Sequence, residues 1–207
     1  VVIKKILIAN RGEIAIRVIN TCRLMGIKTV TLFTEGEEDL PHAKLSDFAI
    51  SLGSGALRET YLNIEKIVKI CIEHKVDAVH PGYGFLSENA DFSRALDQAK
   101  ILFIGPTPEN IKLMGDKIGS KKFATSVGVP CIPGYHGEDQ SLETLKGEAK
   151  KIGYPVLIKA SSGGGGKGMK VALNDAEFAG QLESAKREAK NSFGDDAVLL
   201  EKYLTGP

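Results

Sequence analysis

The stretch Tyr154–Met169, YPVLIKASSGGGGKGM, decides how the second half of this chain folds. Pro155–Ala160 is short and apolar enough to read as a strand, and Met169–Leu173 reads as another. Between them, SSGGGGKG (Ser161–Gly168) packs seven glycines and serines and Lys167 into eight positions. Glycine leaves its backbone N–H unobstructed and tolerates positive φ, so successive N–H groups can converge on an anion. Lys167 adds charge. A Gly/Ser string between domains is a flexible linker, but this one joins two strands. It therefore predicts a hairpin whose tip is a mobile flap over a phosphate. The Walker A pattern is not met: Gly166-Lys167 is followed by Gly168, and Ser161 stands where the first glycine belongs. GxGxxG does match at Gly163, Gly165 and Gly168, but it leads into the strand-like MKVAL. A dinucleotide fingerprint must open a helix.

Other polar residues sit close in sequence to this loop. Lys159 lies near the end of the entering strand, where it either contacts a phosphate or snorkels to the surface. Leu142–Ile152 reads as a helix leading into that strand. Asn174 with Glu177 resembles a capping box, opening a helix to about Lys190. Val198–Tyr203 reads as the last strand, and Glu201-Lys202-Tyr203-Leu204 offers a backbone edge that an adenine could pair with. Lys117, in LMGDK, starts a helix after a turn; alone it reads as a surface lysine.

The first hundred residues follow a different pattern. Strands are expected at Ile3–Ala9, Thr29–Phe33, Phe48–Leu52, Ala78–His80 and Ile101–Ile104. Helices fall between them: Ile14, Val18, Cys22 and Met25 share one face, Ile64, Ile67, Val68 and Cys71 a second, and Phe92, Ala95, Leu96 and Ala99 a third. Strand and helix in alternation argue a parallel sheet with crossover helices. The turn Asn10-Arg11-Gly12-Glu13 has the position of a dinucleotide-binding turn without its glycines. His80–Asn89 (HPGYGFLSEN) follows a strand's C-terminal end, where α/β sheets collect ligands. On spacing alone it is equally a ligand loop or a tight connection. Gly105-Pro106-Thr107-Pro108 is a breaker cluster, followed by two short helices, about Pro108–Met114 and Lys117–Val127.

Composition narrows the function classes. The 207 residues suffice for one large domain or two small ones. Lys plus Arg is 27 and Asp plus Glu is 26, so nothing global draws the chain to nucleic acid or an anionic membrane. No apolar run approaches the ~18 residues of a membrane span, and no signal or transit peptide is legible. The three cysteines, Cys22, Cys71 and Cys131, form no CxxC and read as reduced thiols, the first two on apolar helix faces. The four histidines make no metal motif. Glycine, at 23 residues, exceeds the usual ~7%.

Taken together, ANRGEIA (Ala9–Ala15), HPGYGFLSEN, FIGP (Phe103–Pro106), LMGDK (Leu113–Lys117), YPVLIKASSGGGGKGM and EKYL (Glu201–Leu204) resemble biotin carboxylase, of the ATP-grasp superfamily, over essentially the whole chain. The resemblance implies an α/β fold. Residues 1–114 would form a Rossmann-like parallel-sheet N-terminal (pre-ATP-grasp) domain, and residues 115–207 the α+β lid portion of an incomplete ATP-grasp domain. Within the latter, a linker helix would occupy about 115–130 and the glycine-rich lid about 131–204. The segment PGYHGEDQ (Pro133–Gln140) is closer to the biotin-containing subunits of propionyl- or methylcrotonyl-CoA carboxylase than to the acetyl-CoA type.

Residue by residue, the resemblance makes Lys117 and Lys159 the lysines on ATP phosphates, and Gly163, Gly164, Gly165 and Gly166 the flap. Glu201, Lys202, Tyr203 and Leu204 become the adenine hinge, with Met169 and Leu157 as apolar walls. Tyr83 and Gly84 lie toward the biotin side, and Arg17 toward a dimer partner or simply in solvent. The implied reaction uses MgATP to activate bicarbonate as carboxyphosphate and then carboxylates carrier-bound biotin. A closing lid protects the labile intermediate from water. The implied partners are a biotin carboxyl carrier domain, a carboxyltransferase subunit and a second copy. The implied location is the bacterial cytoplasm or the mitochondrial matrix. The family's magnesium-binding glutamates and its bicarbonate- and biotin-handling residues would lie beyond residue 207, so this polypeptide alone is expected to be silent. Pyruvate and urea carboxylases share the module. A non-catalytic dimerisation module and another ATP-grasp ligase, such as carbamoyl-phosphate synthetase, are the remaining alternatives.

Overall fold

Strand β1 (Lys5–Ile8) lies at the centre of the first sheet, and its alternation decides the layering. The computed structural model describes residues 2–161 and 168–206, with the backbone only at Lys117. The chain divides into two units, Val1–Gly115 and Asp116–Pro207.

In the first unit β1 is followed by α1 (Gly12–Leu24), β2 (Lys28–Phe33), α2 (Pro41–Leu45), β3 (Phe48–Ser51) and a 3-10 turn at Leu57–Glu59. Next come α3 (Ile64–Glu73), β4 (Ala78–His80), α4 (Ala90–Gln98), β5 (Leu102–Phe103) and α5 (Pro108–Gly115). The strands form one parallel sheet in the order β3-β2-β1-β4-β5. Because successive side chains of a strand point to opposite faces, Ile6 and Ile8 pack with Ala15, Val18, Ile19 and Cys22 of α1. Leu7 and Ala9 join Ile67, Cys71, Phe92 and Leu96 of α3 and α4 on the other side. Both faces are thus covered, as parallel sheets require. The two helices of that second layer are fixed by asparagine caps: Asn63 accepts from Lys66 N and Asn89 from Phe92 N, each at 2.9 Å. The strand order reverses at β1, which has β2 on one side and β4 on the other. Ligand crevices of open α/β sheets form at such a reversal, outside the strands' C-terminal ends.

The second unit runs α6 (Lys117–Ser126), β6 (Gly134–Tyr135), α7 (Leu142–Ile152), β7 (Val156–Ala160), β8 (Met169–Ala172), α8 (Asp175–Phe193) and β9 (Val198–Lys202). Its strands are antiparallel in the order β6-β9-β7-β8. Val156, Ile158, Ala172, Val198 and Leu200 pack against Leu145 and Ala149 of α7 and Phe178, Leu182 and Ala185 of α8. Asn174 caps α8 by accepting from Ala176 N and Glu177 N, as the sequence suggests. The helix runs past Lys190 and stops at Gly194, where φ is +76°. Strand β6 has no counterpart in the sequence reading: two residues within VPCIPGYHG are too few to show a period.

Candidate functional site

The register of β7, β8 and β9 places one set of side chains on the face of the second sheet away from α7 and α8. Leu157 pairs with Val171 and Glu201, and Lys159 pairs with Met169 and Leu199. Directly paired residues share a face, so Leu157, Lys159, Met169 and Glu201 lie together, opposite the Val156, Ile158 and Ala160 face. The burial of β7 alternates to match: residues 156, 158 and 160 are buried, and 157 and 159 are half-buried.

On this face Lys159 Nζ forms an ion pair with Glu201 Oε2. Lys121, from α6, donates to Glu201 Oε1 at 2.9 Å. Burial works against the charge of Glu201, but hydrogen bonds and charge from Lys159 and Lys121 outweigh it and hold the carboxyl below the usual glutamate range. Met169 is partly exposed beside them. The chain leaves β9 with Lys202 N donating to Pro133 O at 2.8 Å and Tyr203 N to Pro155 O at 3.1 Å. Lys202 Nζ turns away to Gly153 O and Tyr154 O, both at 2.8 Å, so its side chain ties β9 to the end of α7. Among the described residues Leu204 N has no hydrogen-bond partner, and its side chain is exposed. An apolar wall beside a lysine and a backbone amide with no partner among the described residues could receive a planar, anionic ligand.

The sequence singled out Lys159, Met169, Glu201, Lys202, Tyr203 and Leu204, and the register brings Lys159, Met169 and Glu201 onto one face. Lys117 begins α6 behind the cap Asp116, whose carboxylate accepts from Ile118 N. Gly163, Gly164, Gly165 and Gly166 lie outside the described residues. Lys121 was not singled out. In sequence it is one of two adjacent lysines, and only the fold brings it to a glutamate 80 positions away.

The other candidate loop stands at the strand-order reversal of the first sheet. Asn10, buried at the end of β1, donates to Pro81 O and Tyr83 O at 2.8 Å each, while its Oδ1 accepts from Arg11 N. Gly82 has φ +66°, and a Cβ there would lie 2.7 Å from Asn10 Nδ2. Gly84 also has φ +66°, and Tyr83 is exposed with its hydroxyl on Glu13. Phe85 stacks on Tyr61 at 5.0 Å, with the Arg11 guanidinium over both rings. Arg11 pairs with Glu37, which also accepts from Tyr61 Oη and Thr34 N. Burial opposes the Glu37 charge, yet these bonds prevail and bring its carboxyl down to about 2. His80 Nδ1 accepts from Gly82 N at 3.0 Å, and burial pushes the imidazole pKa down, favouring the neutral form. Cys22 and Cys71 are buried, the latter pushed up to about 12 by that burial, which suits packing rather than chemistry. Among the described residues no group of three His, Cys, Asp or Glu is placed to hold a metal, and no helix is long and apolar enough to cross a membrane.

Comparison with known proteins draws the two units together. Residues 2–111 match the family described as biotin carboxylase, N-terminal domain. Residues 116–207 match carbamoyl-phosphate synthase L chain, ATP binding domain. Methylcrotonoyl-CoA carboxylase subunit alpha, mitochondrial, of Dictyostelium discoideum is 51% identical over 99% of this chain and 29% of its own length. The biotin carboxylase domain dimer of Hydrogenobacter thermophilus 2-oxoglutarate carboxylase, solved with MgADP, ADP and bicarbonate, is 47% identical. Its TM-score is 0.83, over 98% of this chain and 45% of that one. Biotin carboxylase of Campylobacter jejuni, in a β-γ-ATP complex, is 43% identical with a TM-score of 0.86, over 100% of this chain and 46% of that one. The chain therefore spans less than half the length of these relatives. On the family match across its first unit, the chain belongs to the biotin carboxylase family.

Proposed function

We propose that this chain binds ATP on the face of its second sheet away from α7 and α8 and forms part of a longer ATP-dependent ligase that carboxylates carrier-bound biotin with bicarbonate and MgATP. The observation that carries the reading is the convergence of Lys159, Met169, Leu157 and Glu201 on one face, running into a hinge whose Leu204 amide has no partner among the described residues. The adenine would rest between Leu157 and Met169 and accept from Leu204 N. Its phosphates would take Lys159, Lys117 and the loop of Gly163–Gly166. The Lys202 side chain is committed to the Gly153 and Tyr154 carbonyls and its N–H to Pro133 O, which leaves neither donor for the base. Magnesium, when bound with the nucleotide, neutralises phosphate charge. The described residues offer no carboxylate cluster for it.

Residues 1–114 serve in this reading as the N-terminal domain, and 115–207 as the linker helix (about 115–130) and lid (about 131–204). Tyr83 and Gly84, held by Asn10, are the loop toward biotin. A biotin carboxyl carrier domain, a carboxyltransferase subunit and a second copy, with Arg17 on the facing helix, are the partners. The setting is a bacterial cytoplasm or a mitochondrial matrix. Acyl-CoA carboxylases are the favoured context, on the resemblance of Pro133–Gln140.

The test is bicarbonate-dependent ATP cleavage with free biotin by the full-length carboxylase carrying this chain. Lys159→Gln should lower kcat/KM for ATP by about 10- to 100-fold, the worth of one charge-assisted contact. An unchanged value would remove Lys159 from the phosphates.

A further inference from the structure

Glu201 is held by two lysines, Lys121 at 2.9 Å on Oε1 and Lys159 on Oε2. All three side chains are largely buried: Lys121 is 15% exposed, Glu201 16% and Lys159 29%. Two ammonium groups on one carboxylate leave a surplus positive charge, which suits an anionic ligand. They also pose a problem. If Lys159 turns to a phosphate, as the proposed function requires, it must release Glu201, and a carboxylate stranded in a largely buried place is costly.

We infer that Lys121 is a positioning residue for nucleotide binding: it retains Glu201 while Lys159 is handed from Glu201 to the phosphates. The inference rests on the nucleotide reading of this face. The surrounding structure makes room for it. Gly134 pairs with Glu201 across β6 and β9, and a Cβ there would lie 2.4 Å from Leu200 O and 3.2 Å from Lys121 Nζ. The close approach of the Leu200 carbonyl requires glycine at this position, and Lys121 Nζ lies against the same spot on its way to Glu201. Burial opposes the Glu201 charge, and Lys159 and Lys121 together hold the carboxyl below the usual glutamate range, so Lys121 is one of the two groups that offset its burial.

The experiment is steady-state kinetics of the full-length carboxylase, with melting temperature recorded for every variant. Lys121→Met should raise KM for ATP about tenfold with a smaller change in kcat, because among the described residues Lys159 would then be the one ion-pair partner left to Glu201. Lys121→Arg should restore most of the affinity. Adding Glu201→Gln to Lys121→Met should also recover affinity, because the neutral amide no longer holds Lys159. A merely structural lysine would lower the melting temperature and leave KM alone. An ATP KM within twofold of wild type in Lys121→Met overturns the inference, as does a defect that Glu201→Gln fails to relieve. Lys159→Met is the control: if it too leaves KM unchanged, the nucleotide reading of the face fails and the inference falls with it.

Discussion

In the first unit both faces of the sheet are covered by helices, and the polar groups at its strand ends are bonded to one another. In the second unit α7 and α8 cover one face, and the other carries Lys159, Met169 and Glu201, with Lys121 of α6 reaching Glu201. Asn10 spends its amide on Pro81 O and Tyr83 O, and Glu37 collects Arg11, Tyr61 and Thr34. Those bonds build a rigid loop. Glu201, by contrast, holds two lysines, one of which would have an alternative partner in a phosphate on the proposed function. The same kind of charge pairing thus fixes a backbone in one unit and, on the proposed function, would hold an exchangeable cation in the other.

Four perturbations bear on this contrast. The largest effect is expected from Phe178→Ala, which empties a fully buried site against β7 and β8 and should cost about 3–5 kcal/mol. Hydrogen exchange should show the loss confined to residues 116–206, with the first unit unchanged; spread into β1–β5 would break the division. Asn10→Ala should cost about 1–3 kcal/mol, leaving two carbonyls without their donor. Denaturant titration should place that loss in the first unit.

Third is a pH effect at Glu37. Its carboxyl titrates at about 2 when folded, against 4.5 ordinarily. Between these values the unfolded chain binds more protons, so the stability Glu37 contributes is complete above about pH 4.5 and is lost as pH falls toward 2. Melting of the first unit should lose this acid-side slope in Glu37→Gln, and an unaltered slope would remove Glu37 as its source. The smallest effect is expected from Lys170→Met. Lys170 pairs with Ile158 across the ladder, on the helix-covered side, and its ammonium meets Glu188 at 2.9 Å. Nucleotide affinity should stay within about twofold, since exposed pairs contribute little. A large loss would place the nucleotide on the wrong face.

Much of this contrast was legible in the residues. Asn174 and Gly194 bracket α8 by local chemistry that any reader of the sequence can apply, although the stop itself fell three residues beyond Lys190. Lys159 and Glu201 stood out by their places in their strands. Their pairing did not, because it depends on the register that sets Leu157 opposite Glu201, 44 residues away. Lys121 carried no signal at all: its meaning comes from its reach to Glu201 of β9, past the missing side chain of Gly134. Likewise Arg11, Glu37, Tyr61 and Phe85 are scattered over the first 85 residues, and only the parallel sheet gathers them.

The most direct test is photoaffinity labelling of the full-length carboxylase with 8-azido-ATP, mapped by peptide mass spectrometry. Labelling should fall on Leu157, Met169 and Tyr203–Leu204, and excess ATP should suppress it. Label confined to residues 2–115, or to the α7 and α8 side of the second sheet, would contradict the assignment of the Lys159–Met169–Glu201 face as the nucleotide site.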